Sequence, residues 1–137
     1  VEIFSRLDTI NENIRANVIV IDDDRDTVSA LSDFLEIKGL KVIGKGYDGL
    51  EAVELYKKLK PDIVFLDVMM DNFDGLYALE KIKKIQPDAV VIMVTADLNE
   101  KTTNQLSELR ASATIYKPYD INEIMSVLHK LYILRLT

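Results

Sequence analysis

The sequence predicts an α/β fold, a doubly wound five-stranded parallel sheet with helices on both faces. Three observations predict it. Five short apolar runs alternate with five segments of helical periodicity between Asn17 and Leu134, and strict alternation of strands and helices calls for parallel strands joined by crossover helices. The runs Val18–Ile21, Ile63–Leu66 and Ala89–Val94 are apolar without a polar residue at every second place, as in strands covered on both faces. Each of four runs then stops at a polar side chain: Asp22-Asp23, Asp67, Thr95 and Lys117.

The elements follow in order. Ile3, Phe4, Leu7, Ile10 and Ile14 make one apolar stripe, so residues 1–15 are expected to form an N-terminal helical extension to a domain spanning 16–137. That stripe suits a helix covering its own domain, a homodimer contact or the end of a preceding segment. Asn17–Ile21 reads as the first strand. From about Asp26 to Lys38, Val28, Leu31, Phe34 and Leu35 share a helical face, and Gly39 is the expected stop. Asp24 and Asp26 suit a cap on that helix. Lys41–Gly44 is a weak strand. A helix beginning at Asp48-Gly49 carries Leu50, Val53, Leu55, Tyr56 and Leu59, and Pro61 ends it. The third strand runs to Asp67, and its loop, 68–74, leads into a helix with Leu76, Leu79, Ile82 and Ile85. The fourth strand ends at Thr95. Asn99 to Arg110 is a more polar helix anchored by Leu106 and Leu109. A short strand, Ala113–Tyr116, reaches Lys117-Pro118. The last helix, Ile121 to about Leu134, presents Ile124, Val127, Leu128 and Leu131.

Composition narrows the function. The chain has 137 residues, 48% of them hydrophobic, which suffices for one domain with its own core. With no cysteine there is no disulfide framework, thiol catalysis or thiolate metal site. A net charge of −6 argues against direct nucleic-acid binding. No apolar run approaches a membrane span and no signal-peptide pattern opens the sequence, so a cytoplasmic location is expected.

The chemistry collects at the strand ends. In an open parallel sheet the carboxyl ends of the strands share one edge, and ligands bind where the strand order reverses. With the order 2-1-3-4-5, taken over from known doubly wound proteins rather than read from these residues, Asp22, Asp23 and Asp67 converge. Thr95 and Lys117 arrive from the adjoining strands. Three carboxylates in one pocket repel, so such a site holds a proton or a hard cation. Oxygen donors without sulfur or a nearby imidazole favour Mg²⁺, with Mn²⁺ as a substitute. Mg²⁺ takes carboxylates together with phosphate oxygens, which fits phosphoryl transfer. Asp67 is placed to attack in line, Lys117 to hold one phosphoryl oxygen and the Thr95 hydroxyl to donate to another. Any one aspartate at a strand end is more often a cap, a Lys-Pro pair more often a turn. The joint pattern, one residue per strand end in chain order, carries the reading. The sole histidine, His129, lies within the last helix and reads as structural, and Met69-Met70 reads as packing.

These pieces resemble the receiver domain of two-component response regulators. The resemblance rests on Val18–Asp24, on Pro61–Met70 followed by Asp74-Gly75, on Val91–Ala96, and on Lys117-Pro118, together covering roughly Asn17 to Leu134. It implies a flavodoxin-like three-layer sandwich of the single-domain chemotaxis-regulator kind. It implies that Asp67 takes a phosphoryl group from a histidine-kinase phosphohistidine or a phosphotransfer protein, then changes contacts with a downstream output protein or domain. It implies that Asp23, Asp67 and the Met69 main-chain carbonyl bind Mg²⁺, that Asp22 acts through water, and that the peptide before Pro118 is cis. Such a domain catalyses only its own phosphorylation and dephosphorylation.

Three departures stand out. Asp71 occupies a place where the family often has proline. Thr114 stands where an aromatic switch residue is common, which shifts that role towards Tyr116 on the same strand face or to a loop movement through Thr95. Arg110-Ala111 replaces a common Gly-Ala. Two other readings stay open. A haloacid-dehalogenase-like phosphatase also uses an aspartate nucleophile with Mg²⁺, Thr and Lys, but needs a further acidic pair, for which only Asp120 and Glu123 are available. A degenerate receiver used only for binding is hard to reconcile with Asp23, Asp67, Thr95 and Lys117 all being present. No helix-turn-helix or catalytic output region is read in these residues, so a stand-alone receiver and a part of a larger protein both remain.

Overall fold

The computed structural model describes residues 15–136, with side chains to Leu131. The helix expected over 1–15 therefore lies outside the described residues, Arg15 excepted. Among the described residues, five strands alternate with five helices: β1 (Asn17–Ile21), α1 (Arg25–Ile37), β2 (Lys41–Gly46), α2 (Gly49–Leu59), β3 (Ile63–Asp67), α3 (Gly75–Ile85), β4 (Val90–Thr95), α4 (Glu100–Glu108), β5 (Ala113–Tyr116) and α5 (Ile121–Leu136). All strand pairs are parallel, and their order is β2-β1-β3-β4-β5. No helix among the described residues is long and apolar enough to cross a membrane.

Side-chain alternation along the strands splits the core in two. Val18, Val20, Ile63, Phe65, Ile92 and Ile115 point to the face covered by α1 and α5, where they meet Val28, Leu31, Leu35, Ile124 and Leu128. Ile19, Ile21, Val64, Leu66, Val91 and Met93 point to the face covered by α2, α3 and α4, where they meet Ala52, Val53, Leu79, Ile82 and Leu106. Each fully buried Leu or Ile contributes about 2 kcal/mol relative to exposure.

Several details differ from the expectation. Burial on both faces holds for β1, β3 and β4, but β2 and β5 are only half covered. They are the edge strands, and the helices extend over the sheet centre. β2 runs on through Gly46. Phe34, Leu50 and Ile85, expected on buried helix faces, are exposed, while Ala52 and Ala78 are fully buried. A small residue lets a helix approach the sheet closely, so the larger side chains end up at the margin of the stripe. Met70 packs in the core, whereas Met69 is 63% exposed and packs on little.

The helix ends obey local chemistry. Asp24, Asp48, Asp74 and Asn99 each cap a helix by accepting from a backbone N–H in its first turn. Gly39, at φ 95°, turns the chain after α1 as expected. Two non-glycine residues do the same after other helices: Lys60, at φ 46°, before Pro61, and Arg110, at φ 61°. The latter is the place where glycine is common in the resembling family. Here an arginine sits in the left-handed region, which costs about 1 kcal/mol.

Candidate functional site

The sheet register builds the site. Ile21 pairs with Leu66, so Asp22 and Asp67 follow side by side on adjacent strands, roughly 4.8 Å apart in the pairing direction. Asp22 and Asp67 continue the alternation of Val20 and Phe65, towards the α1 and α5 face. Lys117 continues that of Ile115, towards the same face. Thr95 follows the opposite alternation, that of Met93, and pairs with Tyr116. Three charged side chains therefore meet on one side of the edge, and Thr95 closes the other.

Carboxylate oxygens of Asp22, Asp23 and Asp67 all lie within 4.8 Å of one another. Asp22 and Asp67 are buried and Asp23 is exposed, so the cluster opens to solvent on one side. The Lys117 ammonium donates to Asp22 Oδ2 at 2.8 Å and lies 3.7 Å from Asp67 Oδ2. Three carboxylates against one ammonium leave a formal charge of −2, which a divalent cation would neutralise. The donors are hard oxygens with no sulfur or imidazole among them, so the residues fit Mg²⁺ or Mn²⁺.

The ionisation of these groups reflects this crowding. Burial pushes the Asp67 carboxyl up to about 6, reinforced by the Asp22 and Asp23 charges and opposed by Lys117 and the Met69 amide. Asp23 is also raised, by partial burial and by the charges of Asp22 and Asp71. Burial pushes the Lys117 ammonium down, but its bond to Asp22 and the charge of Asp67 outweigh that and raise it above its ordinary value.

Backbone contacts set the surrounding loops. Asp22 Oδ1 accepts from the Asp24 amide at 3.0 Å, while Asp24 caps α1. One acidic run thus divides between site and cap. The loop after β3 is pinned at both ends: the Gly75 amide donates to the Val68 carbonyl at 2.8 Å, and the Gly49 amide to the Phe73 carbonyl at 2.6 Å. A Cβ at Gly75 would collide with the Asp67 carbonyl and the Val68 Cα, so glycine is needed where α3 starts directly against the site. The Lys117-Pro118 peptide is cis, as the resemblance implied.

The structure brings together Asp22, Asp23, Asp67 and Lys117, with Thr95 fully buried beside them. Thr114 and Tyr116 lie elsewhere, in a groove between β5 and α5 with Asn122, Ser126 and Val127. They share a strand face, as alternation requires, and Tyr116 is partly exposed. Asp120 caps the first turn of α5 by accepting from the Glu123 amide, so it is already committed locally. His129 Nε2 is buried without a hydrogen-bond partner among the described residues. Sequence reasoning missed Asp97. Its amide donates to the Thr95 hydroxyl oxygen at 3.0 Å, and its carboxylate accepts from the Asn99 amide and the Thr102 hydroxyl, both at 2.8 Å. It also missed Arg25, whose guanidinium stacks 3.9 Å from the Tyr47 ring centre. The Asp97–Asn99 spacing is a turn signal in the sequence, but nothing there links it to Thr95.

Fold and site together define a doubly wound protein with an acidic pocket at the strand-order reversal. The family model for the response regulator receiver domain matches residues 18–129, and the chain belongs to that family, whose members act in two-component signalling. Over 113 residues it is 33% identical to the chemotaxis protein CheY of Thermotoga maritima, covering 82% of this chain and 94% of that one. It is 32% identical over the same length to protein CcdB of Bacillus subtilis, with the same coverage. Among solved structures, a chain of the CheX-CheY-BeF3-Mg+2 complex from Borrelia burgdorferi aligns with a TM-score of 0.81 and 31% identity, covering 85% of this chain and 88% of that one.

Proposed function

We propose that this receiver accepts a phosphoryl group on Asp67 in a Mg²⁺-dependent reaction and thereby changes its protein contacts. The observation that carries the reading is a buried carboxylate flanked by two others and one lysine, at the end of a central strand. The phosphoryl donor is a phosphohistidine on a kinase or phosphotransfer protein. An Asp67 oxygen attacks phosphorus, the phosphorus–nitrogen bond breaks, and the imidazole leaves with its electron pair and takes up a proton. With its pKa near 6, Asp67 is mostly ionised at neutral pH and ready to attack.

Asp23, Asp67 and the Met69 carbonyl would hold the cation, with Asp22 acting through water. When bound, the cation offsets charge on the transferring oxygens. Lys117 supplies the other positive charge. It is shared between Asp22 and Asp67, and swinging towards a phosphoryl oxygen on Asp67 is a short movement. Thr95 already accepts from the Asp97 amide, so its own hydrogen is available to donate to a phosphoryl oxygen. Coupling through Thr95 to Tyr116, its pairing partner on β5, would carry the change to the surface between α4 and α5, where an output protein would bind. The domain turns over no separate substrate.

Incubation with acetyl phosphate and Mg²⁺ followed by intact mass tests the reading. The chain should gain the mass of one phosphoryl group, and Asp67→Asn should remove the gain. Equal labelling of the variant at the same rate would overturn the assignment.

A further inference from the structure

The Thr95 hydroxyl belongs to a hydrogen-bond network that reaches beyond the site. The side chain is fully buried, and the sheet fixes its backbone, whose carbonyl accepts from the Lys117 amide at 2.8 Å. Its hydroxyl oxygen accepts from the Asp97 amide at 3.0 Å. The Asp97 carboxylate in turn accepts from the Asn99 amide and from the Thr102 hydroxyl, both at 2.8 Å. The bond to Asn99 is an ordinary local turn. The one to Thr102 ends in the first turn of α4. Asn99 is itself tied to that turn: its side chain accepts from the Lys101 amide, and its carbonyl from the Thr103 amide and hydroxyl. Ala96, Leu98, Asn99 and Glu100 are all exposed, so hydrogen bonds rather than apolar packing hold this loop.

We propose that Asp97 is a positioning residue for phosphoryl transfer, acting through the Thr95 hydroxyl. The inference rests on the Asp67 phosphoacceptor reading above and adds a residue to it. A threonine hydroxyl has one hydrogen and two lone pairs, and it rotates to suit its partners. Once the Asp97 amide engages a lone pair, that rotation is restricted and the hydrogen is left for another acceptor. A donor fixed before the reaction needs no reorganisation as charge develops on the phosphoryl oxygens. The amide can do this only while it stays in place. The carboxylate of the same residue holds it there, by clipping the loop to α4 on its far side. The two ends of Asp97 thus have separate parts: the amide sets the hydroxyl, and the carboxylate sets the amide.

The experiment measures the initial rate of mass gain from acetyl phosphate and Mg²⁺ in folded variants of the chain. Asp97→Ala removes both carboxylate bonds and should slow labelling roughly fivefold, the worth of about one hydrogen bond. Asp97→Asn can still accept from the Asn99 amide and can donate to the Thr102 oxygen, so it should stay within about twofold of the natural chain. Thr102→Val breaks one of the two bonds without touching Asp97 and should slow labelling by a smaller factor than Asp97→Ala. Thr95→Ala should slow it most. Adding Asp97→Ala to Thr95→Ala should cost nothing further, because the two residues act as one unit. An unaltered rate in Asp97→Ala or Thr102→Val, an equal loss in Asp97→Asn, or an undiminished loss on top of Thr95→Ala would overturn the role of Asp97 and leave Asp67 standing as the acceptor. If the natural chain takes no label, or Asp67→Asn takes it at the same rate, the phosphoacceptor reading falls and this inference with it.

Discussion

Asp67→Asn should stabilise the metal-free protein at neutral pH. The carboxyl is pushed up to about 6 in the folded chain, from an ordinary value of 3.8. Below the unfolded value both states carry the proton, and the group contributes nothing. Between 3.8 and about 6 the folded state holds more protons than the unfolded one, so stability falls as pH rises. Above 6 the full cost is present. Raising the carboxyl from 3.8 to about 6 corresponds to an upper value of about 3 kcal/mol. Asparagine removes the charge but also the attraction to Lys117, so the expected gain is about 1 to 3 kcal/mol, or roughly 3 to 9 °C in Tm for a chain of this length. The assay is urea unfolding in EDTA at several pH values from 4 to 8. The gain should be largest at pH 7 to 8 and vanish towards pH 4. Saturating Mg²⁺ should narrow the gap by stabilising the natural chain more than the variant, by about 2.7 kcal/mol at a hundred times Kd. A variant no more stable than the natural chain at pH 7 in EDTA, or a gain that does not vary with pH, would refute the reasoning.

Other predictions follow from the same geometry. Asp23→Asn should weaken Mg²⁺ binding at least about tenfold and slow phosphorylation by acetyl phosphate, since it removes a charge in contact with the ion; an unchanged magnesium titration would remove Asp23 from the ligand set. Arg110→Gly should raise stability by about 1 kcal/mol in urea unfolding, because the left-handed backbone there suits glycine; a loss of stability would show that the arginine side chain outweighs its backbone cost. Structures with and without beryllium trifluoride should differ at Thr95–Glu100 and in the Tyr116 side chain, as the Thr95 hydroxyl turns towards the phosphoryl mimic. Identical positions for both would mean that the switch runs elsewhere.

The sequence determined the fold class and named the carboxylates and the lysine that meet at the sheet edge, for a physical reason. A strand buried on both faces has to be apolar throughout, so β3 and β4 announce themselves, and a carboxylate that ends such a run is conspicuous. Strand alternation alone puts Thr114 and Tyr116 on one face. The helices gave less. Ala52 and Ala78 are fully buried while Phe34 and Leu50 are exposed, because close approach to the sheet favours a small side chain that a hydrophobic stripe does not weigh.

Only the tertiary structure decided how the charges are shared. That Lys117 bonds to Asp22 while lying farther from Asp67 depends on side chains 95 residues apart in sequence. The raised carboxyl of Asp67 depends on burial, which no local pattern encodes. The hydrogen bond between Thr95 and Asp97 is set by a loop conformation. Loops fold to suit the strand ends that hold them, so their chemistry becomes legible only once the sheet has brought those ends to one edge.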